Sequence, residues 1–416
     1  TDGSQVTAPH DRNIIAEVEK ITSIDQILTG ANPGNITLLG EEFDEIYLNK
    51  VHTLSLSPES VGKFHDMKIA YTPLHGAGVR LVPASLRKWG FTNVSLVEEQ
   101  AVIDGNFPTV ESPNPEERKT MAKAIELGSR LGADLVLATD PDSDRIGVAL
   151  RNAKGEYVLL NGNQTLSLIM AYQLTRWSEL GRLDGKEFVV KTIVTSQMPN
   201  VMAAHFGVKC YDCLTGFKYI ARIIRNNEGK ATYIGGGEES FGYLAGDFVR
   251  DKDAVSACSL VAEAAAWTRD TMGLTLYEWL QKLYVEFGFF REGLVSVVRK
   301  GMEGAAEIQQ MMVDYRADPP REIAGSPVVK INDFKLLEST DVRTGAKTPI
   351  EEEASNVLQW FAADGTVVSV RPSGTEPKIK FYFGVRAELE SVADFDRVEA
   401  GLDAKIETIK KELKLV

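Results

Sequence analysis

The hexapeptide Asp140-Pro141-Asp142-Ser143-Asp144-Arg145 gathers three carboxylates and a guanidinium within six residues. In an extended segment, side chains at i, i+2 and i+4 point to one side, so Asp140, Asp142 and Asp144 converge. Anions held this close raise one another's pKa and cost stability unless a cation joins them. An all-oxygen set suits Mg²⁺, which keeps waters and shares its shell with a phosphate oxygen. A calcium EF-hand is excluded: its sixth position needs glycine and its twelfth glutamate, where this loop has Arg145 and Arg151. A phosphatase with an aspartate nucleophile in an Asp-x-Asp pair stays open.

Other strand-end loops carry complementary chemistry. Gly235-Gly236-Gly237 allows a sharp turn and close backbone approach to a ligand. Glu238, Glu239 and Ser240 follow it, acceptors that match the vicinal hydroxyls of a sugar. Lys252, in Arg250-Asp251-Lys252-Asp253, is placed to reach an anion, and Asp253 fits the N-cap of the apolar helix that follows. In Arg371-Pro372-Ser373-Gly374-Thr375-Glu376-Pro377-Lys378, Arg371 can grip a phosphate bidentately. Ser373 and Thr375 add hydroxyls and Gly374 exposes backbone N–H groups, completing an anion nest. Lys378 and Lys380 either assist or offset Glu376. Lys218, after the Thr215-Gly216-Phe217 turn, suits phosphate contact or proton transfer. His75 lies either near such a site or buried and satisfied. Cys210-Tyr211-Asp212-Cys213 has no second pair to complete a zinc site.

Positioning these loops requires strands that end where they begin. Lys68–Thr72, Val94–Val97 and Ala133–Thr139 read as strands, separated by helices ending near Trp89 and spanning Pro115–Leu131. This alternation argues a parallel sheet covered by helices. The rhythm restarts beyond a boundary near Lys154-Gly155. From Leu294 onward, strands group between helices. The fold class expected is α/β: consecutive mixed α/β sheet domains with helices on both faces, plus a C-terminal α+β domain. Its divisions are residues 1–58, 59–160, 161–290 and 291–416. The first holds two helical segments, one with Ile14, Ile15, Val18 and Ile21 on one face.

Composition narrows the class. In 416 residues, 46 basic against 59 acidic side chains leave a charge of −13, which argues against nucleic acid as a partner. Three cysteines fit a reducing, cytoplasmic setting. The most apolar stretch, Ala254–Trp267, falls short of the roughly 20 residues of a membrane span and reads as a buried helix.

Taken together, the loops resemble the α-D-phosphohexomutase superfamily, on its phosphoglucomutase/phosphomannomutase branch. Residues 140–145 resemble its metal loop, 237–242 its sugar loop in the Glu238-Glu239-Ser240 form of the glucose enzymes, and 371–377 its phosphate loop. Thr72-Pro73-Leu74-His75-Gly76, Thr215–Lys218 and Gln5–Asp11 extend the match over essentially the whole chain. The resemblance implies interconversion of glucose 1-phosphate and glucose 6-phosphate, with Mg²⁺ on Asp140, Asp142 and Asp144 and glucose 1,6-bisphosphate as intermediate. It gives Arg145 the transferring phosphoryl group, Lys218 proton transfer or phosphate contact, and Glu238 and Ser240 the sugar hydroxyls. Lys252 joins the substrate contacts, while Arg371, Ser373, Gly374 and Thr375 take the phosphate that does not react. It implies hexose phosphates as partners, no nucleic acid or membrane, and a monomer or homodimer. The family's phosphorylated serine lies in a Thr-Ala-Ser-His-Asn-Pro loop of its first domain. No such string occurs here, so residues 1–58 are expected to be the end of that domain and the chain to be inactive alone. A Mg²⁺-dependent sugar phosphatase and a non-catalytic sugar-phosphate binding protein are the alternatives.

Overall fold

The computed structural model describes residues 3–7, 9–30, 32–299, 301–373 and 377–415. The chain divides into two compact units, residues 1–190 with 216–276, and residues 191–215 with 277–416.

The first unit opens with α1 (His10–Val18), which buries none of its residues; the apolar Ile14, Ile15, Val18 and Ile21 are all exposed. In α2 (Glu41–His52) the acids Glu41, Glu42 and Asp44 fill the first turn and Lys50 and His52 the last, complementing the helix dipole. Pro58 starts α3 (Pro58–Lys63) at a position where its missing N–H costs nothing. Then follow β1 (Ile69–Thr72), α4 (Gly78–Trp89), β2 (Val94–Leu96), α5 (Ala122–Leu131), β3 (Leu135–Thr139), β4 (Ile146–Arg151) and β5 (Tyr157–Leu159). Helix α5 starts at Ala122, not at Pro115. The chain before it stays in turns, one held by Asn114 Oδ1, which accepts the Glu116 N–H at 3.1 Å.

These strands form one sheet in the order β2-β1-β3-β4-β5. β1 runs parallel to β2 and β3, whereas β3–β4 and β4–β5 are antiparallel. The sheet is therefore mixed where the rhythm alone suggested a parallel one. The six-residue connection between Thr139 and Ile146 explains this, since a parallel return needs a crossover of a dozen or more residues. Lys154 and Gly155 turn the β4–β5 hairpin, whose second strand closes this sheet at Leu159. Alternation along the strands serves two faces: Ala70, Val136 and Ala138 join a core with Ala124 and Leu127 of α5. Tyr71 and Thr139 point the other way, their hydroxyls 2.8 Å apart.

Next come α6 (Gly162–Glu179), β6 (Glu187–Thr192), α7 (Met198–His205), β7 (Lys209–Cys213), α8 (Phe217–Asn227), β8 (Thr232–Gly237), β9 (Tyr243–Ala245) and α9 (Ala254–Met272). β8 pairs antiparallel with β9. As expected, α9 is buried, from Ala254 through Thr268. Its buried Glu263 accepts from Ser55 Oγ at 2.5 Å and from the N–H groups of Leu56 at 3.0 Å and Ser57 at 2.9 Å, anchoring the segment that enters α3. Among the described residues no helix is long and apolar enough to cross a membrane.

The second unit contains α7 and β7, described above, and α10 (Leu276–Phe287), β10 (Phe289–Val298), α11 (Gly301–Ala317), β11 (Glu322–Ile323), β12 (Ser326–Asp333), β13 (Glu338–Asp341), β14 (Lys347–Pro349), β15 (Leu358–Ala362), β16 (Val367–Pro372), β17 (Lys378–Ala387) and α12 (Phe395–Glu412). Its sheet follows the antiparallel order β10-β17-β16-β15-β12-β13-β14. β10 starts at Phe289, five residues before the expected Leu294, because Phe289 and Phe290 continue the ladder opposite Ala387 and Arg386. Phe289 stacks between Tyr284 at 4.3 Å and Phe395 at 4.7 Å.

Candidate active site

Asp140 follows the last residue of β3, where the strand's N–H groups run out of ladder partners. Its Oδ1 accepts the N–H groups of Asp144 at 3.1 Å and Arg145 at 3.0 Å, and its carbonyl accepts the Ser143 N–H at 3.0 Å. Ser143 adopts the left-handed conformation, φ 58°. The loop is thus a tight turn wrapped on the first carboxylate, not the extended run first expected, because the freed backbone donors need acceptors. The turn still brings the triad together: ligand oxygens of Asp140, Asp142 and Asp144 lie within 4.8 Å of one another. Asp140 is buried, Asp144 half-buried and Asp142 exposed, so the cluster opens to solvent. Burial pushes the Asp140 carboxyl up to about 7, reinforced by the charges of Asp144 and Asp142 and opposed by Arg145. Asp144 Oδ1 is buried and accepts no hydrogen bond. Three carboxylates, one with an oxygen that no hydrogen bond claims, fit a hard divalent ion.

The turn before α4 supports this loop from behind. Ala77 donates its N–H to the Pro141 carbonyl at 2.8 Å. Gly76 approaches Pro141 so closely that a Cβ would sit 2.3 Å from the Pro141 Cα. His75 is buried, with Nδ1 3.0 Å from the Val102 carbonyl oxygen and Nε2 2.8 Å from Thr109 Oγ1. His75 is therefore satisfied, and it also lies one residue from the glycine that packs on Pro141.

The loop at residues 237–242 joins the acidic loop at 140–145 directly. Arg145 and Gly242 form an antiparallel β-bridge, and Ile146 donates its N–H to the Phe241 carbonyl at 3.1 Å. Glu238 is buried and its Oε1 accepts the Gly216 N–H at 2.8 Å, which fixes the turn carrying Lys218. Burial, then Glu239, pushes the Glu238 carboxyl up to about 7, against the pull of Gly216 and Lys252. Ser240 is half-buried at the loop's tip. Beneath the loop, a Cβ on Gly162 at the start of α6 would lie 1.9 Å from the Glu239 carbonyl oxygen.

A further cation meets this surface. Lys252 Nζ lies 2.8 Å from Asp144 Oδ2 and 3.3 Å from Asp251 Oδ1. Burial opposes its charge, but Asp144 and Asp251 outweigh burial and hold its pKa above the ordinary lysine value. Lys218 Nζ lies 3.9 Å from Asp11 Oδ2. Asp253 takes the expected N-cap role: its Oδ1 accepts from Val255 and Ser256 and also from the Tyr47 hydroxyl at 2.7 Å. The next residue, Ala254, donates its N–H to the Ser143 carbonyl at 3.1 Å, joining α9 to the acidic loop.

Sequence reasoning missed Glu116, whose Oε1 lies 3.6 Å from Arg145 Nη1. The available signal was the proline-flanked Asn114, which forces a turn there. It also passed over Lys191, fully buried with Nζ 2.7 Å from Asp212 Oδ1; a lysine between the apolar Phe188-Val189-Val190 and Ile193-Val194 is the signal, since buried lysines are rare. Cys210 and Cys213 are three residues apart on β7 and so face opposite sides. Burial pushes the Cys210 thiol up to about 12.

The anion-nest residues belong to the second unit. Arg371 sits on β16 opposite Lys380 of β17, and Ser373 donates its N–H to the Lys378 carbonyl at 2.8 Å. Gly374 and Thr375 lie outside the described residues.

Comparison with known proteins shows the family. Family models of phosphoglucomutase/phosphomannomutase match three regions: α/β/α domain II at residues 45–155, α/β/α domain III at 161–287, and the C-terminal domain at 329–402. A phosphoglucomutase of Staphylococcus aureus (strain MRSA252) is 32% identical over 410 residues, which cover 98% of this chain and 71% of that protein. A Thermus thermophilus protein described as a phosphomannomutase shares the fold with a TM-score of 0.60 at 18% identity, over 89% of this chain and 66% of that one. Parafusin, a phosphoglucomutase of Paramecium, gives 0.59 at 15% identity, over 94% of this chain and 68% of its own. The chain thus spans about two thirds of the length of these solved proteins. It belongs to the phosphoglucomutase/phosphomannomutase family of the α-D-phosphohexomutase superfamily, a family of isomerases.

Proposed function

We propose that the chain serves the interconversion of glucose 1-phosphate and glucose 6-phosphate through a bisphosphorylated sugar. The bridge between Arg145 and Gly242 carries this reading, because it puts metal-binding and hydroxyl-reading chemistry on one surface. Asp140, Asp142 and Asp144 would hold Mg²⁺, which when bound supplies charge neutralisation for a transferring phosphoryl group. Arg145 adds a second positive charge beside the same carboxylates. Glu238 and Ser240 take the sugar hydroxyls in either orientation of the intermediate. Lys252 reaches the triad directly, whereas the charged partner of Lys218 is Asp11. Lys252 is therefore the better placed ammonium for phosphate contact or proton transfer, and Lys218 the second. Arg371, Ser373, Gly374 and Thr375 hold the phosphate that does not react.

The phosphoryl donor of this scheme is a phosphoserine, and these residues contain no Thr-Ala-Ser-His-Asn-Pro loop to carry it, so turnover requires that segment. The division at residues 58, 160 and 290 and glucose 1,6-bisphosphate as intermediate belong to the same reading. So does a cytoplasmic setting, in keeping with three free cysteines. Calorimetry of the chain with Mg²⁺ and glucose 1-phosphate, beside turnover of a form that includes the serine segment, tests the proposal. Isomer formation supports it. Release of inorganic phosphate would indicate a phosphatase, and binding without turnover in both forms a binding protein.

A further inference from the structure

The carboxylate oxygens that suit a divalent ion are the same ones that two side-chain cations hold. Lys252 Nζ is 2.8 Å from Asp144 Oδ2, while Arg145 Nε is 3.0 Å from Asp140 Oδ2 and 3.5 Å from Asp144 Oδ1. Each cation also has a carboxylate outside the triad. Asp251 Oδ1 lies 3.3 Å from Lys252 Nζ, and Glu116 Oε1 lies 3.6 Å from Arg145 Nη1. The first of these carboxylates is anchored by groups other than the cation head, and the second is placed by its backbone. Asp251 accepts the Lys252 backbone N–H and the Gln5 Nε2, both at 2.8 Å. Glu116 sits on the turn closed by Asn114. The stem of Lys252 is seated against Gly242, where a Cβ would come within 2.1 Å of its Cδ, so only the ammonium end is free to change partner.

We infer that Asp251 and Glu116 are positioning residues that take over Lys252 and Arg145 when a divalent ion claims Asp144 and Asp140, keeping both cations beside the reacting phosphoryl group. The inference rests on the metal reading of the loop. A cation with no second acceptor would stay on the triad and compete with the ion. One with an acceptor already in place exchanges one ion pair for another, which avoids leaving a half-buried charge unpaired. Linkage fixes the sign: weakening the outer acceptor favours the inner contact and so weakens metal binding.

The test is Mg²⁺ titration calorimetry on the full chain and its variants. Asp251→Asn should weaken Mg²⁺ binding about threefold, and Lys252→Met, which keeps the stem, should tighten it about as much. The double variant should bind like Lys252→Met alone, because Asp251 acts only through Lys252. If Asp251→Asn weakens binding by the same factor in both backgrounds, simple through-space charge explains it and the inference is overturned. Glu116→Gln with Arg145→Met repeats the cycle at the second pair, which covers the case in which losing the Gln5 contact disturbs the fold. Absence of Mg²⁺ binding by the unaltered chain would sink the metal reading itself; an additive cycle on a chain that binds Mg²⁺ normally sinks only the exchange.

Discussion

Arg145 and Gly242 face each other across an antiparallel β-bridge, so two loops about a hundred residues apart behave as one ribbon. The bridge brings Gly242 against Lys252, whose Cδ occupies the place a β-carbon would need, 2.1 Å away. Gly242→Ala must therefore displace the Lys252 stem and move its ammonium from Asp144. A displacement of about an ångström in such a group costs on the order of a hundredfold in turnover. Thermal unfolding should change little by comparison. Steady-state kinetics of the serine-containing form, with melting curves alongside, provide the check; unchanged turnover would remove Lys252 from the reacting surface.

Gly162→Ala should act differently. Its Cβ would meet the Glu239 carbonyl oxygen at 1.9 Å and the Phe241 nitrogen at 2.7 Å, backbone atoms that cannot rotate away. Overpacking of this kind costs about 1–3 kcal/mol. We expect a lower urea midpoint together with weaker sugar-phosphate binding, since the displaced segment carries Glu238 and Ser240. Full binding in a destabilised variant would show that the loop adjusts independently of α6.

Glu263→Ala removes the acceptor shared by Ser55, Leu56 and Ser57 inside the first unit. Buried donors left unpaired cost about 1–3 kcal/mol each. The expected outcome is a loss of several kcal/mol in denaturant unfolding, with Glu263→Gln intermediate because its amide oxygen still accepts. Equal stability of the alanine variant and the parent would refute the anchoring role.

Glu238 supplies a pH dependence whose sign can be worked out. Burial raises its folded pKa to about 7 from the ordinary 4.5, so between those values the folded chain holds a proton that the unfolded chain has released. Stability from this group is fully present below the unfolded value and is lost as pH rises through the folded one. Ligand binding runs the other way, because only the ionised carboxylate accepts hydroxyl donors at both oxygens. KM for sugar phosphate should fall as pH rises through about 7, and Glu238→Gln should flatten both profiles. A wild-type KM independent of pH across that range counts against Glu238 as the hydroxyl acceptor.

The metal and phosphate assignments separate by variant. Asp142→Asn should weaken Mg²⁺ binding and turnover together, because the exposed Asp142 completes the triad without supporting the loop's backbone. Arg371→Ala should raise KM while leaving Mg²⁺ affinity intact. Calorimetry reads the first and kinetics the second; an unaltered metal titration for Asp142→Asn would reject it as a ligand.

The motif-bearing turns were legible in the sequence because each is local: a run of β-prone apolar residues ends, and polar side chains of unusual composition follow. Asp140–Arg145 and Glu238–Ser240 fall where that pattern placed them. Less legible was the backbone path between them. Three carboxylates at alternate positions suggest an extended run, yet Asp140 spends an oxygen on two amides of its own loop and bends it. The antiparallel β4 also escaped the strand-helix rhythm, although a six-residue connection was a sufficient clue. Glu116 and Lys191 were less legible for a different reason. Charged residues of ordinary type acquire meaning from the partner that tertiary structure brings to them, and Arg145 and Asp212 are 29 and 21 positions away in the chain.

The bond from the Ala254 amide to the Ser143 carbonyl makes the first peptide of the core helix a reporter on the metal loop. Deuterium uptake at that single amide can occur through release of the loop alone or through melting of α9, and the deeper amides of α9 register only the second event. Comparing their exchange clocks would time how often the acidic turn lifts off while the interior stays intact.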